Sequence, residues 1–222
     1  MKTKLIFILI LLSTSFISAQ VVKSIGIKSG MALSNQKWQY SQFDQLFKVE
    51  NHTGFYGVIT ADFITKPHWE LSVDLGYYQN FGRVVNEITP YKLTEIGEEF
   101  DMKYGFITLS PIVKFKTSFH SFTPYLCFGP RMDNFISGLS NDGANFFKTE
   151  VSKTLWGINY GIGISYSLHT ISIIVEYQYF YSFNYMINQA AKISSDTFIY
   201  DKVKFNSQIL SLGIKYHFKK GV

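Results

Sequence analysis

From Trp156 to Tyr166 the chain alternates with a period of two. Trp156, Ile158, Tyr160, Ile162, Ile164 and Tyr166 lie on one face, against Gly157, Asn159, Gly161, Gly163 and Ser165 on the other. That period predicts a strand with one apolar face. Trp69, Leu71, Val73, Leu75 and Tyr77 oppose Glu70, Ser72, Asp74, Gly76 and Tyr78 in the same way. Further on, Ile171, Ile173, Val175, Tyr177, Tyr179 and Tyr181 oppose Ser172, Glu176 and Gln178, with Ile174 and Phe180 breaking the pattern. Near the end, Leu210, Leu212, Ile214, Tyr216 and Phe218 face away from Ser211, Gly213, Lys215 and His217. Across the chain the pattern predicts eight strands, at roughly 24–34, 54–64, 68–79, 103–116, 123–136, 154–167, 170–182 and 204–218.

Alternation alone also fits a soluble barrel with its apolar face inside, and volume decides between the two. The apolar faces supply on the order of forty bulky side chains, whereas an eight-stranded barrel is only just wide enough for its inward residues. The small and polar face must therefore point in and the apolar face out. In water each outward side chain would forgo roughly 1.5–3 kcal/mol of burial, a cost that lipid removes. A closed barrel also leaves no edge unpaired, as the bilayer interior requires.

Two further patterns agree. Trp156 and Tyr166 stand ten residues apart on one face, and Trp69 and Tyr77 bracket another strand in the same way. At ~3.3 Å per residue and a tilt near 40° the first pair spans roughly 25 Å, the height of an apolar band between aromatic girdles. Connections also alternate in length. Long ones fall at 35–53, 80–102, 137–153 and 183–203, and short ones at Thr65–Pro67, Thr117–Phe122 and Leu168–His169. A membrane barrel with both termini in the periplasm sorts its external loops and internal turns in this order. The expected fold is all-β: an eight-stranded antiparallel up-and-down transmembrane β-barrel.

The N-terminus reinforces this. Lys2 and Lys4 precede an unbroken apolar run from Leu5 to Leu12, and Ser18-Ala19-Gln20 suits cleavage. The run is too short for a spanning helix, so residues 1–19 are expected to be a signal peptide and 20–222 the barrel. Charged residues make up only 17% and aromatics 18%, which favours β-structure with a large apolar surface over disorder. The net charge is +5, and without Lys2 and Lys4 it is +3, too small and dispersed to suggest nucleic acid. Cys127 is the single cysteine, which rules out an intramolecular disulfide and a cysteine metal site.

The last expected strand ends on Ser211-Leu212-Gly213-Ile214-Lys215-Tyr216-His217-Phe218. Ser211, Gly213, Tyr216 and Phe218 form the expected assembly signal, with Tyr216 and Phe218 joining the girdle of Trp69, Tyr77, Trp156 and Tyr166. The runs Trp69–Gly82, Ser110–Phe115, Pro124–Arg131 and Gly157–Tyr179, the last containing Val175-Glu176-Tyr177, resemble blocks of a known family. It is the eight-stranded outer membrane protein β-barrel domain family, the porin-like or PorT-like barrels of Gram-negative bacteria. The resemblance covers nearly the whole mature chain and implies a barrel, not an activity. Gln178 stands where members often carry an arginine, so Glu176 must find another cation.

Lys28, Asp62, Glu70, Asp74, Lys114, Arg131, Asp133, Glu176 and Lys215 are expected to face inward. Unpaired buried charges are costly, so they should pair across the lumen. The expected structural network is Asp74, Lys114, Arg131, Asp133 and Glu176, with Arg131 taking Glu176 and either Asp133 or Asp74. Of the histidines, His68, His120 and His169 fall in turns, His217 at the end of the last strand and His52 near the external mouth. No spacing marks a nucleophile with its base, a metal site or a phosphate loop. No catalytic residue and no cofactor is expected.

The external loops hold the remaining freedom. The second is acidic, with Glu87, Glu95, Glu98, Glu99 and Asp101, and the first carries Trp38, Tyr40, Phe43, Leu46 and Phe47. The expected function is non-enzymatic: a structural, adhesive or partner-binding barrel acting through its loops. A narrow solute channel and an accessory of secretion or envelope assembly are the alternatives. Expected partners are outer-membrane lipid and lipopolysaccharide, the barrel-assembly machinery during insertion, and an extracellular or envelope protein, with no nucleic acid.

Overall fold

The computed structural model describes residues 22–39, 47–86, 100–140, 152–188 and 202–218. Eight long strands follow in chain order: β1 (Ser24–Gln39), β2 (Phe47–Thr65), β3 (Trp69–Asn86), β4 (Phe100–Lys116), β5 (Phe122–Ser140), β6 (Thr154–Leu168), β7 (Ile171–Ser182) and β9 (Lys202–His217). A two-residue strand, β8 (Ile187–Asn188), pairs with the start of β9. Each long strand pairs antiparallel with its neighbour in sequence order, and β1 pairs with β9 from Ser24↔His217 to Gln39↔Lys202. The sheet is a closed eight-stranded antiparallel barrel.

Alternation places the residues as the volume argument requires. Thirty-three large hydrophobic side chains are exposed among the described residues, including Ile27, Leu75, Leu126, Ile162, Leu212 and Ile214. Leaving these in water would cost on the order of tens of kcal/mol, against a typical folding stability of about 5–15 kcal/mol. The inward face carries Lys28, Asp62, Glu70, Asp74, Lys114, Arg131, Asp133, Glu176 and Lys215, all buried.

The strands run further toward the loop end than the apolar alternation indicates. Residues 35–39, 47–53, 80–86, 100–102 and 137–140 were expected in loops and are strand. Beyond the apolar band the outward face of the wall meets polar surroundings, so the outward hydrophobic period disappears while the backbone ladder continues. Tyr40, Phe43, Leu46, Glu87, Glu95, Glu98 and Glu99 lie outside the described residues, whereas Asp101 is in β4. Residues 183–186 interrupt the ladder between β7 and β9, and the Met186 amide, bonded to the Val203 carbonyl at 2.8 Å, returns the chain to β9, where β8 continues the pairing.

Irregularities interrupt the β2–β3 ladder between His52 and Tyr56 and between Asp62 and Ile64, and the β4–β5 seam is interrupted by facing prolines. The β4–β5 pairing runs from Met102↔Ser140, shifts by one residue between Gly105 and Phe106, continues to Leu109↔Met132, lapses, and resumes at Val113↔Phe128 in the register of Leu109↔Met132. That register sets Pro111 opposite Pro130, and neither has an N–H to donate. Gly129 lets the Pro111 carbonyl approach its Cα so closely that a Cβ there would lie 1.9 Å from the oxygen. The Ser110 hydroxyl donates to the Pro130 carbonyl at 3.1 Å, covering an acceptor the ladder leaves open. A shallow apolar groove of about 330 Å³ lies over the seam, lined by Leu71, Pro111, Val113, Phe128 and Pro130 among others.

Candidate functional site: the filled lumen

Inward residues of the eight strands stack in tiers. At the turn end Glu70 of β3 gathers three lysines. Lys215 Nζ lies 3.0 Å from its Oε1, Lys116 Nζ 2.8 Å from its Oε2, and Lys114 Nζ 3.8 Å from its Oε1. Lys215 also reaches Asp62 Oδ2 at 2.7 Å, and the Ser24 hydroxyl donates to the same oxygen. Glu70 can serve several cations because a carboxylate offers about four lone-pair positions.

One tier higher, Lys28 of β1 stands between two strands. Its Nζ donates to Asp74 Oδ2 at 2.5 Å and to Glu176 Oε1 at 2.6 Å, and all three side chains are buried. Glu176 also accepts the Tyr125 hydroxyl at 2.7 Å and the Gln178 amide at 2.6 Å. Tyr125 fits there because the facing residue is Gly163, where a Cβ would come within 2.3 Å of the ring. Such a glycine makes space for a large neighbour across the pleat.

Arg131 and Asp133 mark the upper limit of the buried charges. Arg131 Nε donates to Asp133 Oδ1 at 2.8 Å, and the guanidinium carbon lies 4.4 Å from the Tyr78 ring centroid and 4.5 Å from that of Phe180. Planar guanidinium suits this position between two aromatic faces. Above it the lumen turns apolar. Tyr104, Phe106, Leu155, Met186, Val203, Phe205 and Ile209 are buried together, with Phe135 packed against them. Phe106 and Phe205 meet edge to face with centroids 6.2 Å apart, and Tyr104 lies 4.9 Å from Phe205. Gln36 and Asn80 bridge the same level at 2.9 Å.

The expected network residues Asp74, Lys114, Arg131, Asp133 and Glu176 all face the lumen, in three groups rather than one. Glu176 takes Lys28 as its cation, Arg131 takes Asp133, and Lys114 belongs with Glu70. Lys116, absent from the expected inward set, shares the parity of Lys114 and joins the turn-end tier. With it the inward charges among the described residues number five basic and five acidic. The apolar plug was legible only as irregularity, in Tyr78 on the polar face of β3. Of the two residues that break the alternation of β7, both buried inward, Phe180 lies against Arg131 below the plug, and Ile174 packs with Ile112, Tyr125 and Cys127 in a separate cluster.

The girdle residues Trp69, Trp156, Tyr166, Tyr216 and Phe218 are exposed and Tyr77 is half-buried. Trp69, Tyr166, Tyr216 and Phe218 ring the turn end, where the Phe122–Tyr166 and Tyr216–Phe218 rings lie 4.7 and 5.5 Å apart. Trp156 and Tyr77 stand toward the loop end. Ser211 and Gly213 face inward on β9, and the Ser211 hydroxyl donates to the Glu176 carbonyl at 3.4 Å.

Two histidines adopt a left-handed backbone in the tight turns, His120 (φ 55°) and His169 (φ 54°). His52 packs on Phe81 with centroids 4.8 Å apart. His217 Nε2 and the Ser172 hydroxyl are 2.7 Å apart, a pairing that chain spacing does not reveal. Among the described residues no carboxylate hydrogen-bonds the other ring nitrogen, so this is a serine–histidine contact without the third group that orients a base.

No protein-family model matches the chain, and no curated protein matches it in sequence. Solved structures do. The outer membrane protein OprG from Pseudomonas aeruginosa is 13% identical with a TM-score of 0.51, over 88% of this chain and 97% of OprG. Neisserial surface protein A is 18% identical with a TM-score of 0.45, over 87% and 97%. Ail, the attachment invasion locus protein of Yersinia pestis, solved with the heparin analogue sucrose octasulfate, is 17% identical with a TM-score of 0.38, over 87% and 99%. The likeness to OprG carries the fold: this chain has the eight-stranded barrel of an outer membrane protein.

Proposed function

We propose that the chain is an exported, non-enzymatic barrel of the Gram-negative outer membrane, closed to solutes and acting through its loop end. Residues 1–19 serve as signal peptide, and 20–222 insert with both termini in the periplasm, aided by the assembly machinery that reads Ser211, Gly213, Tyr216 and Phe218. The observation that carries the closed lumen is the sequence of tiers. Paired charges fill the turn-side half, and the Phe106–Phe205 plug closes the other. The buried charges of these tiers lie against partners of opposite sign, which supports a structural role for them. The role therefore falls to the loop end, as a structural, adhesive or partner-binding surface for an extracellular or envelope protein.

Outer-membrane fractionation with a heat-dependent gel shift, followed by planar-bilayer recording, tests this. The expected result is a heat-modifiable band in the outer-membrane fraction and no steady single-channel current. A soluble periplasmic protein would sink the membrane assignment, and a steady conductance would sink the closed lumen.

A further inference from the structure

The outer wall of β1, β7 and β9 changes character along its height. On β1 the outward residues run Ile25, Ile27, Ser29, Met31, Leu33, then Asn35 and Lys37, and on β9 they run Tyr216, Ile214, Leu212, Leu210, then Gln208 and Lys204, with Asn206 between these two buried and accepting the Ser182 amide. Register places Lys37 directly opposite Lys204, Asn35 opposite Asn206 and Leu33 opposite Gln208. Lys202, on the same face of β9, lies one outward position further up.

Two lysines directly opposite on one face repel each other. Among the described residues none of Lys37, Lys202 and Lys204 has a carboxylate within ion-pairing distance. Their contacts are with tyrosines instead. Lys204 Nζ donates to the Tyr181 hydroxyl at 2.9 Å and lies 4.2 Å from the ring centroid, and Lys202 Nζ is 5.7 Å from the Tyr185 ring. Just below, the Tyr177 hydroxyl donates to Gln208 Oε1 at 3.1 Å.

The order from wall to mouth is hydrocarbon, then amides and phenols, then ammonium groups with no carboxylate partner among the described residues. An amphipathic molecule lying along the wall meets these in the order acyl chain, hydroxyl-bearing headgroup, phosphate. From this juxtaposition we infer that the Lys37–Lys204 pair with Lys202 binds the phosphate of an outer-leaflet phosphorylated glycolipid. Its sugar hydroxyls meet Asn35, Gln208 and the tyrosines, and its acyl chains lie along Met31, Leu33 and Leu210. Phosphate supplies the acceptor oxygens that ammonium groups seek, and it cancels the repulsion across the β1–β9 pair. The inference rests on the outer-membrane assignment above and specifies one lipid-facing site on it.

Native mass spectrometry of the full barrel released from phosphatidylcholine nanodiscs tests the site. The nanodiscs are doped with bis-phosphorylated lipid A, dephosphorylated lipid A or phosphatidylglycerol. Wild type should retain lipid A at least fivefold more than either other lipid. K37Q/K202Q/K204Q should lose that preference, and K103Q on β4, where Lys103 stacks on Phe81, should keep it. Equal retention of the dephosphorylated lipid overturns the phosphate site, and equal retention of phosphatidylglycerol overturns the glycolipid assignment. Undiminished retention by the triple variant overturns the residues named. A heat-dependent gel shift on every sample separates these outcomes from failure of the barrel itself, and the dephosphorylated arm on wild type holds even should the triple variant not fold.

Discussion

The two halves of the lumen are enclosed by the same eight strands and filled by opposite means. Toward the turns the interior is ionic, with Glu70 among three lysines and Lys28 between Asp74 and Glu176. Toward the loops it is a cluster of Tyr104, Phe106, Leu155, Phe205 and their neighbours. The first filling is an interdependent set, because each buried charge is tolerable only while its partner is present. The second is a sum of contacts, each lost one at a time. Arg131 joins them, as an ion-pair partner to Asp133 and a cation between two rings.

The strongest way to break the comparison is Lys28→Met. It strands two buried carboxylates and should cost about 4 kcal/mol, read as a lowered urea midpoint for the barrel in lipid vesicles. Adding Asp74→Asn and Glu176→Gln to that variant should recover most of the loss. A triple variant no more stable than Lys28→Met alone would show that the tier is not an interdependent set.

Phe106→Ala probes the other half. Removing the buried ring should cost about 3 kcal/mol through lost contacts and a residual cavity. Combined with Leu155→Ala, the two losses should add more nearly than any pair within the Lys28 tier. Strong non-additivity across the plug would erase the contrast.

Gly163→Ala tests the support of the ionic half from the wall. The new methyl collides with the Tyr125 ring, and turning that ring aside also removes its hydroxyl from Glu176. A loss of about 2 kcal/mol is expected, and it should largely vanish in a Tyr125→Ala background. The smallest effect belongs to Lys116→Gln. Its side chain is partly exposed and Glu70 retains Lys215, so about 0.5 kcal/mol is expected.

Much of the lower barrel was legible in the sequence, because there one face meets hydrocarbon and the other a narrow polar interior. Trp69–Tyr77 and Trp156–Tyr166 alternate cleanly for that reason. The upper wall was not legible, since residues such as 35–39 and 80–86 carry no apolar alternation and their strand state depends on the neighbouring ladder. The inward direction of each charge followed from parity, but its partner did not. Lys28 and Glu176 lie 148 residues apart, and only closure of β1 onto β9 beside β7 brings them together. Lys116 went unassigned at a strand end, although its parity matches Lys114. The plug was written in Tyr78, which contradicts the local pattern because the loop-side lumen is itself apolar, whereas Phe180 marks the Arg131 level and Ile174 a smaller apolar cluster with Ile112, Tyr125 and Cys127.

The facing prolines of β4 and β5 have a mechanical consequence. A cylinder of paired strands resists widening through a hoop of ladder bonds, and that hoop is as strong as its weakest junction. Between Leu109↔Met132 and Val113↔Phe128 the junction relies on the Ser110 hydroxyl and a close Pro111–Gly129 contact. Lateral tension, whether from bilayer thinning or from a pulling force, should therefore part the wall there first, leaving the other seven junctions to relax as a curved sheet.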